Sequence, residues 1–241
     1  MPFSLHVVLV RTIYSSNIGA SARAMANMGG SRLILIDPQC DINSKAKQAA
    51  AGAQASLEGA LIYPNWNEFY AQEGTGLRLA LTRRSGKLRP PLDLREALQQ
   101  STTQPRTKPF SDIYLIFGPE DNGLAASDMA FVNHSVQLPV YGDFKSLNLA
   151  QAVLLALYIC QSELEGRSIE PPVDHPLPRP LYFPDETIRQ WLRAMGFDIQ
   201  ARRSSAYLTL KRLLLQNQPT EAELQVLEAI LQQNIRKLKS K

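Results

Sequence analysis

Cysteine and histidine are scarce in this chain, and those present are far apart. The 241 residues include two cysteines, Cys40 and Cys160, and three histidines, at positions 6, 134 and 175, with no CxxC pair or Cys/His cluster. Structural zinc sites use such clusters at short spacings, and disulfide-stabilised folds use several cysteine pairs. We therefore expect neither a metal site nor a disulfide framework.

Long apolar runs and the common nucleotide-binding motifs are also missing. No apolar run approaches the roughly 20 residues that span a bilayer, and the first residues, MPFSLHVVLVR, lack the order of segments that marks a secretion signal. We therefore expect a soluble, cytoplasmic protein without a membrane partner. Neither GxGxxG after a strand nor GxxxxGK[ST] occurs, which argues against ordinary dinucleotide-binding and P-loop proteins.

The charge of the chain is small but unevenly distributed. The net charge is +4, and residues 1–175 carry 15 basic and 16 acidic side chains, whereas residues 176–241 carry 11 and 6. A basic C-terminal part attached to a neutral body indicates a polyanionic partner, with nucleic acid favoured over a membrane surface. Solvated helix faces explain the same charges equally well.

Short apolar runs alternate with helical patterns over the first two thirds of the chain. Strands are predicted for residues 6–10, 32–37, 77–82, 112–118 and 135–140, and helices for residues 17–28, 45–51, 65–72, 92–100 and 147–164. The strand runs are apolar on both faces, which is typical of strands buried within a parallel sheet. The alternation predicts an α/β protein with an open, mostly parallel sheet.

Prolines mark a boundary near position 170. Six of the 14 residues from 171 to 184 are proline, which favours an extended connection. We predict a first domain over residues 1–168, a linker over 169–184 and a small all-helical extension over 185–241. Helical patterns within the extension cover about 185–195, 205–216 and 220–239.

Three polar junctions follow predicted strands, and ligands of open α/β sheets bind at the carboxyl ends of strands. The first junction is RTIYSSNIGASARAM, residues 11–25. Asn17 is placed to cap the following helix, and the small residues around it allow close packing. We expect Arg23, one turn further on, to point toward the ligand edge of the sheet. A packed helix with a surface arginine is the alternative.

The second and third junctions have the same strand-to-helix character. In LIFGPEDNGL, residues 115–124, two glycines flank two acidic residues before a new predicted helix, so backbone amides can approach a ligand. In LPVYGDFKSLNLAQAV, residues 138–153, Ser146 is placed to cap a helix that begins near Leu147. A plain turn and an ordinary helix cap are the respective structural alternatives.

Together, NIGASARAM, FGPEDNGL and LPVYGDFKSLNLAQAV resemble the three signature motifs of the TrmH-like RNA ribose 2′-O-methyltransferases of the SPOUT superfamily. The C-terminal stretch LKRLLLQNQPTEAELQVLEAIL is similar to the extension of those members that methylate a cytidine or uridine in the tRNA anticodon loop. The resemblance implies S-adenosylmethionine as cofactor and a deep trefoil knot formed by the last sheet segments. It also implies a homodimer with shared active sites.

The resemblance implies roles for individual residues as well. Arg23 matches the family's catalytic arginine, and Ser146 matches the serine of the third motif. The implied cofactor-binding residues are Thr82, Arg83, Gly118, Glu120, Leu138, Ser146, Leu147 and Asn148. A guanidinium is effectively always charged in proteins, so we expect Arg23 to bind a substrate phosphate or to stabilise the developing alkoxide. An arginine activated transiently by the RNA phosphate is the alternative.

Basic side chains outside these positions are candidate RNA phosphate contacts. They are Arg84, Lys87, Arg89, Lys145, Arg202, Arg203, Lys211 and Arg212. The first three belong to the cluster TRRSGKLRP, which a solvated loop would also explain. Lys145 directly precedes Ser146, and its alternative role is to alter the access of the cofactor to its site. Phosphate contacts set affinity without reading sequence.

The predicted reaction is methyl transfer from S-adenosylmethionine to a ribose 2′-hydroxyl of RNA, with a pyrimidine of the tRNA anticodon loop as the favoured target. Two alternatives stay open. One is the same reaction on ribosomal RNA, and the other is a non-catalytic RNA-binding protein that kept the fold.

Overall fold

The computed structural model describes residues 3–73, 76–83, 90–103, 111–144, 146–164, 182–199, 206–216 and 219–239. Six of the predicted RNA contacts lie outside these ranges, as does the predicted linker up to position 181. These six are Arg84, Lys87, Arg89, Lys145, Arg202 and Arg203.

The described residues form one seven-stranded sheet in which every paired strand is parallel. The strands are β1 (Ser4–Val10), β2 (Arg32–Ile36), β3 (Leu61–Tyr63), β4 (Leu77–Leu81), β5 (Leu92–Asp93), β6 (Asp112–Phe117) and β7 (His134–Gln137). Their order across the sheet is β3-β2-β1-β6-β4-β7-β5. All five predicted strands are confirmed. β3 and β5 were not predicted because two or three residues are too few to show a periodic pattern.

Nine α-helices are present in the described ranges. They are α1 (Ser15–Met28), α2 (Ser44–Ala50), α3 (Gln54–Glu58), α4 (Trp66–Glu73), α5 (Leu94–Thr103), α6 (Leu149–Leu164), α7 (Asp185–Ala194), α8 (Ala206–Gln216) and α9 (Glu221–Lys239). The predicted helices are confirmed with shifts of a few residues at their ends. The helix expected directly after Gly123 is wrong, since a turn and a short 3-10 helix, Asp128–Phe131, follow instead. None of the described helices is both long and apolar enough to cross a membrane.

The sheet is buried on both faces, which explains its apolar strands. In β1, Val7 and Leu9 belong to a core shared with α1, α5 and α6, whereas Val8 and Val10 belong to a second core on the opposite face. This division follows from the alternation of side chains along a strand. Helices α7 to α9 share a separate, smaller core.

Close helix packing explains the small residues of the first motif. A Cβ atom added at Gly19 would lie 1.9 Å from the carbonyl oxygen of Ala46 in α2. Only glycine therefore permits α1 and α2 to approach this closely. At its other end α1 stops at Gly29, whose left-handed φ of 65° lets its amide bond back to Met25.

A buried polar network lies at the amino-terminal edge of the sheet. His6 Nε2 is 2.7 Å from Asp112 Oδ1, and Arg32 Nε donates to His6 Nδ1 at 3.3 Å. His6 thus lies between the Asp112 carboxylate and the Arg32 guanidinium. Arg32 also holds the buried Glu73 carboxylate through two hydrogen bonds, and the Tyr63 hydroxyl donates to Glu73 at 2.7 Å. The side chains of this network are thus partnered with one another.

The network predicts an acid-sensitive contribution to stability from Asp112. Partial burial acts to raise the pKa of Asp112, but the hydrogen bonds from His6 and Ser111 and the charge of Arg32 outweigh it, and the pKa is lowered. The ionised carboxylate therefore stabilises the folded protein above its unfolded-state pKa, and this contribution is lost as the pH falls through the folded-state pKa. Asp112→Asn should lower the free energy of unfolding at pH 7 by about 1–3 kcal/mol.

Urea unfolding of the wild type and the variant from pH 7 down to pH 3.5 measures this effect. The difference between them should shrink at the acid end of the range. Asp41→Asn is the matched control, since Asp41 is exposed. A difference that stays constant with pH would contradict the assignment.

Candidate active site

The three predicted junctions meet in one cleft at the carboxyl ends of β4, β6 and β7. The cleft has a volume of about 590 Å³, within the usual range for small-molecule sites. All eight residues predicted to bind the cofactor line it, namely Thr82, Arg83, Gly118, Glu120, Leu138, Ser146, Leu147 and Asn148. Their contacts with a cofactor stay a prediction, but their placement around a single cleft is observed.

Glu120 joins the second junction to the first. Its carboxylate accepts hydrogen bonds from the backbone N–H of Ile13 at 3.0 Å and of Tyr14 at 3.4 Å. The side-chain amide of Asn17 donates to the same carboxylate at 2.7 Å. A carboxylate at this place also meets the positive end of the α1 dipole.

This arrangement corrects the predicted role of Asn17. Helix α1 begins at Ser15, and its N-cap residue Tyr14 makes no side-chain capping bond. Asn17 therefore lies inside the first turn, where its side chain points to a neighbouring loop. The carboxylate of Glu120, from a different part of the chain, serves the helix end instead.

Asn148 joins the third junction to the other two. Its side-chain amide donates to Asn17 Oδ1 at 3.2 Å, and its own Oδ1 accepts from the backbone N–H of Ala150 at 3.0 Å. Because α6 begins at Leu149, Asn148 is its capping residue, and the predicted cap at Ser146 is wrong. Ser146 lies two residues earlier and is exposed at the cleft.

Gly118 lets the second loop fold tightly against its own backbone. A Cβ atom at this position would lie 2.3 Å from the backbone nitrogen of Leu124 and 2.4 Å from the carbonyl carbon of Gly123. Gly123 itself has a φ of 62°, and its amide closes a turn onto the carbonyl of Pro119 at 2.9 Å. The wall of the cleft after β6 therefore depends on glycine at both positions.

The two remaining walls combine apolar and polar groups. The backbone N–H of Thr82 donates to the carbonyl of Val136 at 2.9 Å, which fixes the chain after β4 to β7. The side chains of Leu81 and Leu138 line the interior, and Arg83 is exposed where the cleft meets solvent. Such a site can bury an apolar or aromatic body and leave a charged group near its opening.

Arg23 is outside this cleft within a single chain. It is exposed on α1, whereas Ser16 and Asn17 at the start of that helix line the cleft. Seven residues of α-helix separate Arg23 from Ser16, which is about 10 Å along the axis. Within the isolated chain Arg23 is therefore not part of the cleft wall, because α1 starts at the cleft and runs away from it, and the expectation that it points toward the ligand edge stays a prediction.

The two described candidates for phosphate contacts in the C-terminal helices are packed against protein. The Lys211 side chain is 12% exposed, and its ammonium donates to Asp185 at 2.9 Å and lies 4.7 Å from the ring centre of Phe131. Its charge is already paired, contrary to the expectation that it faces a phosphate. Arg212 is partly buried, and its Nε is shielded from solvent without a hydrogen-bond partner.

Among the other residues that line the cleft are Tyr14, Ser16, Val140 and Phe144, to which sequence reasoning assigned no role. All four lie within the first and third junctions, so their place in those junctions was the available signal. No group of three or more His, Cys, Asp or Glu side chains suited to a metal occurs in the described part of the chain.

Comparison with known proteins decides the family. The model of the SpoU rRNA Methylase family matches residues 4–158, which is more than half of the chain. The chain belongs to the SpoU rRNA methylase family. The resemblance of its three motifs to the SPOUT methyltransferases is thereby confirmed, as is the α/β fold class with a parallel sheet.

Relatives of this SpoU methylase extend the match over almost its whole length. The tRNA (cytidine/uridine-2'-O-)-methyltransferase TrmJ of Pectobacterium atrosepticum is 31% identical over 234 residues, which cover 95% of each chain. TrmJ of Yersinia pestis is 30% identical over 238 residues, covering 96% of this chain and 91% of the relative. The crystal structure of TrmJ from Z. mobilis is 30% identical with a TM-score of 0.73, and the match covers 97% and 98% of the two chains. The C-terminal helices are therefore part of the likeness.

Proposed function

We propose that the protein is an S-adenosylmethionine-dependent tRNA ribose 2′-O-methyltransferase that acts on a cytidine or uridine of the anticodon loop. The observation that carries the proposal is the cleft, in which Glu120, Asn17 and Asn148 connect all three motif junctions by hydrogen bonds. Relatives about 30% identical over nearly their whole length bear the name of this activity.

The residues of the cleft suit the proposed cofactor. Leu81, Phe117 and Leu138 offer apolar surface to an adenine ring, and the backbone around Thr82, Gly118 and Leu147 offers polar groups at its edge. The capacity of about 590 Å³ accommodates a molecule of this class. When bound, S-adenosylmethionine supplies a methyl group activated by a sulfonium.

The work of the protein is to place the ribose oxygen in line with that methyl group. Holding two reactants in a productive geometry can account for about 7–11 kcal/mol of a barrier. Ser146, exposed at the cleft, is proposed to contact the reacting ribose, and Arg23 to bind a substrate phosphate or to stabilise the developing alkoxide. Arg83 at the opening carries a charge suited to either the cofactor or the RNA.

A homodimer is part of the proposal. Helix α6 is mostly buried, yet Leu154 is 38% and Tyr158 is 56% exposed on it. α1, which carries Arg23, packs against α6. A second copy seated on this surface would cover the apolar side chains and bring an Arg23 near the partner's cleft. The trefoil knot of the family belongs to the same proposal.

The domain boundaries and the role of each domain are proposed as well. Residues 1–168 would form the methyltransferase domain, residues 169–184 the linker and residues 185–241 an RNA-binding extension. The separate core of α7 to α9 supports this division. The candidate phosphate contacts outside the described ranges stay proposals, and a cytoplasmic location accompanies a tRNA substrate.

The deciding experiment is transfer of labelled methyl from S-adenosylmethionine to tRNA that lacks modifications, followed by mass spectrometry of the nucleosides. The expected product is 2′-O-methylcytidine or 2′-O-methyluridine. Incorporation into ribosomal RNA alone would keep the reaction and change the substrate. Cofactor binding without incorporation into either RNA would favour the RNA-binding protein that kept the fold.

A further inference from the structure

Exposed aromatic side chains lie at the cleft and next to a lining residue in sequence. Tyr141 is 95%, Phe144 is 83% and Tyr14 is 58% exposed. Tyr141 and Phe144 are the two most exposed large apolar side chains of the described residues. Single exposed apolar residues are ordinary, but Tyr14 and Phe144 line one opening and Tyr141 follows the lining residue Val140, which indicates a surface that meets a partner.

Two of these rings come from the segment between β7 and α6. Within residues 138–144, Val140 and Phe144 line the cleft, and the exposed Tyr141 follows Val140 directly in sequence. Tyr14 lines the cleft from the start of α1. A nucleotide whose ribose enters the cleft would bring its neighbouring bases to the opening of the cleft.

We propose that Tyr141, supported by Phe144, is a stacking platform for unpaired bases beside the target nucleotide of the RNA. The proposal rests on the proposed function, because it assigns a substrate contact to the same site. Every base has a π-face, so aromatic stacking binds single-stranded RNA of varied sequence. The bases of loop nucleotides are splayed out and can stack on a ring, so a loop fits such a platform better than a base-paired stem does.

Charge at the cleft selects RNA over a second copy of the chain as the occupant. Arg83 is exposed at the same opening, and no carboxylate of the described residues pairs with it. Three more basic residues follow it within the sequence TRRSGKLRP. Single-stranded RNA is bound by cationic side chains, which contact its phosphates, together with aromatic side chains, on which its unpaired bases stack.

The contact proposed for Tyr141 is aromatic rather than ionic. Asp143, which lies between Tyr141 and Phe144 in sequence, is exposed, and its carboxylate would repel a phosphate. Tyr141 should therefore contribute to RNA affinity without adding to its salt dependence. Phosphate contacts, in contrast, steepen the dependence of binding on salt.

Affinity for an unmodified anticodon stem-loop RNA, measured with Tyr141→Ala, Tyr141→Phe and Tyr141→Leu, tests the platform. The alanine variant should bind about 5- to 150-fold more weakly, the fold-change that corresponds to one stacked base. Phenylalanine should restore binding, because the ring is kept, and leucine should not. S-adenosylmethionine affinity should be unchanged in all three, since Tyr141 is not one of the residues that line the cleft.

Two further readouts separate stacking from a structural effect. In a stem-loop with 2-aminopurine in the loop, wild-type protein should quench the fluorescence, and Tyr141→Ala should quench it less. The slope of log affinity against log salt should be unchanged in Tyr141→Ala but shallower by about one in Arg84→Ala, the comparison variant for a phosphate contact.

Several outcomes would overturn the platform. Binding by Tyr141→Leu equal to that of Tyr141→Phe would show that apolar bulk, not a ring, is needed. A change in oligomeric state in Tyr141→Ala would identify a second copy as the occupant. An RNA affinity of Tyr141→Ala equal to that of the wild type would show that Tyr141 does not contact the RNA. Failure of the proposed function is distinguishable, because stem-loop binding and quenching are measured without methyl transfer.

Discussion

Replacing Glu120 by alanine is expected to lower methyl transfer by about two orders of magnitude and to weaken cofactor binding with it. The carboxylate is the shared acceptor for the backbone amides of Ile13 and Tyr14 and for the side chain of Asn17. Without it, the first and second junctions lose their connection, and Asn17 no longer holds Asn148 in place. A misplacement of about 1 Å in an active site can cost about 100-fold in rate.

The same change should lower stability. Hydrogen bonds to charged groups contribute about 1.5–3 kcal/mol each, and neighbouring ones are not additive, so we expect a loss of about 2–4 kcal/mol in the free energy of unfolding. Urea unfolding measures the stability, calorimetric titration the cofactor affinity and labelled methyl transfer the rate.

Two comparison variants sharpen the result. Glu120→Gln keeps one acceptor oxygen but presents an amide N–H toward a donor, so it should fall between the wild type and Glu120→Ala. Asp121→Ala removes the adjacent carboxylate, whose hydrogen bonds within the described part of the chain are to Asn122, and should leave cofactor affinity near its original value. Wild-type cofactor affinity in Glu120→Ala would show that the three junctions hold their shape without this carboxylate.

The fold was predictable where hydrophobic pattern decides it. Strands such as β1 and β6 are apolar along their length because both faces of the sheet are covered, and that condition is visible in the sequence. The edge strands β3 and β5 are too short to leave such a pattern. The surroundings of helix ends were less predictable, because the backbone just before α1 is held by Glu120, about 100 positions away in sequence.

The candidate site was predictable to the extent that it consists of neighbours in sequence. Gly118 directly follows β6, and Ser146 and Asn148 lie in the segment between β7 and α6. Parallel strands bring their carboxyl ends to one edge. The bridge from Glu120 through Asn17 to Asn148 depends on contacts between distant segments, and no local pattern encodes it. The place of Arg23 outside the cleft wall was not predictable for a related reason, since it depends on how α1 leaves the cleft.

Arg23→Ala is expected to abolish methyl transfer while leaving cofactor affinity nearly unchanged. Arg23 is exposed and does not line the cleft, so its removal leaves the cofactor surroundings intact. Its charge would be lost from the substrate phosphate or from the developing alkoxide, where a single preorganised contact contributes about 100- to 1,000-fold in rate. Arg23→Lys keeps a charge without the planar fork and should recover a small part of the activity. A large loss of cofactor affinity in Arg23→Ala would mean that the residue belongs to the cofactor site instead.

Within the proposed homodimer, mixed dimers distinguish whether Arg23 serves its own cleft or that of its partner. Arg23→Ala is combined with a second inactive variant, Gly118→Ala, whose added Cβ would collide with the backbone of Leu124 and deform the cofactor loop. The distance of about two helical turns between Arg23 and the cleft favours action across the dimer. In that case the mixture regains methyl transfer, because an intact cleft in one subunit meets an intact Arg23 in the other. If Arg23 acts within its own chain, every site in the mixture lacks one component, and no activity returns even though size-exclusion chromatography shows dimers.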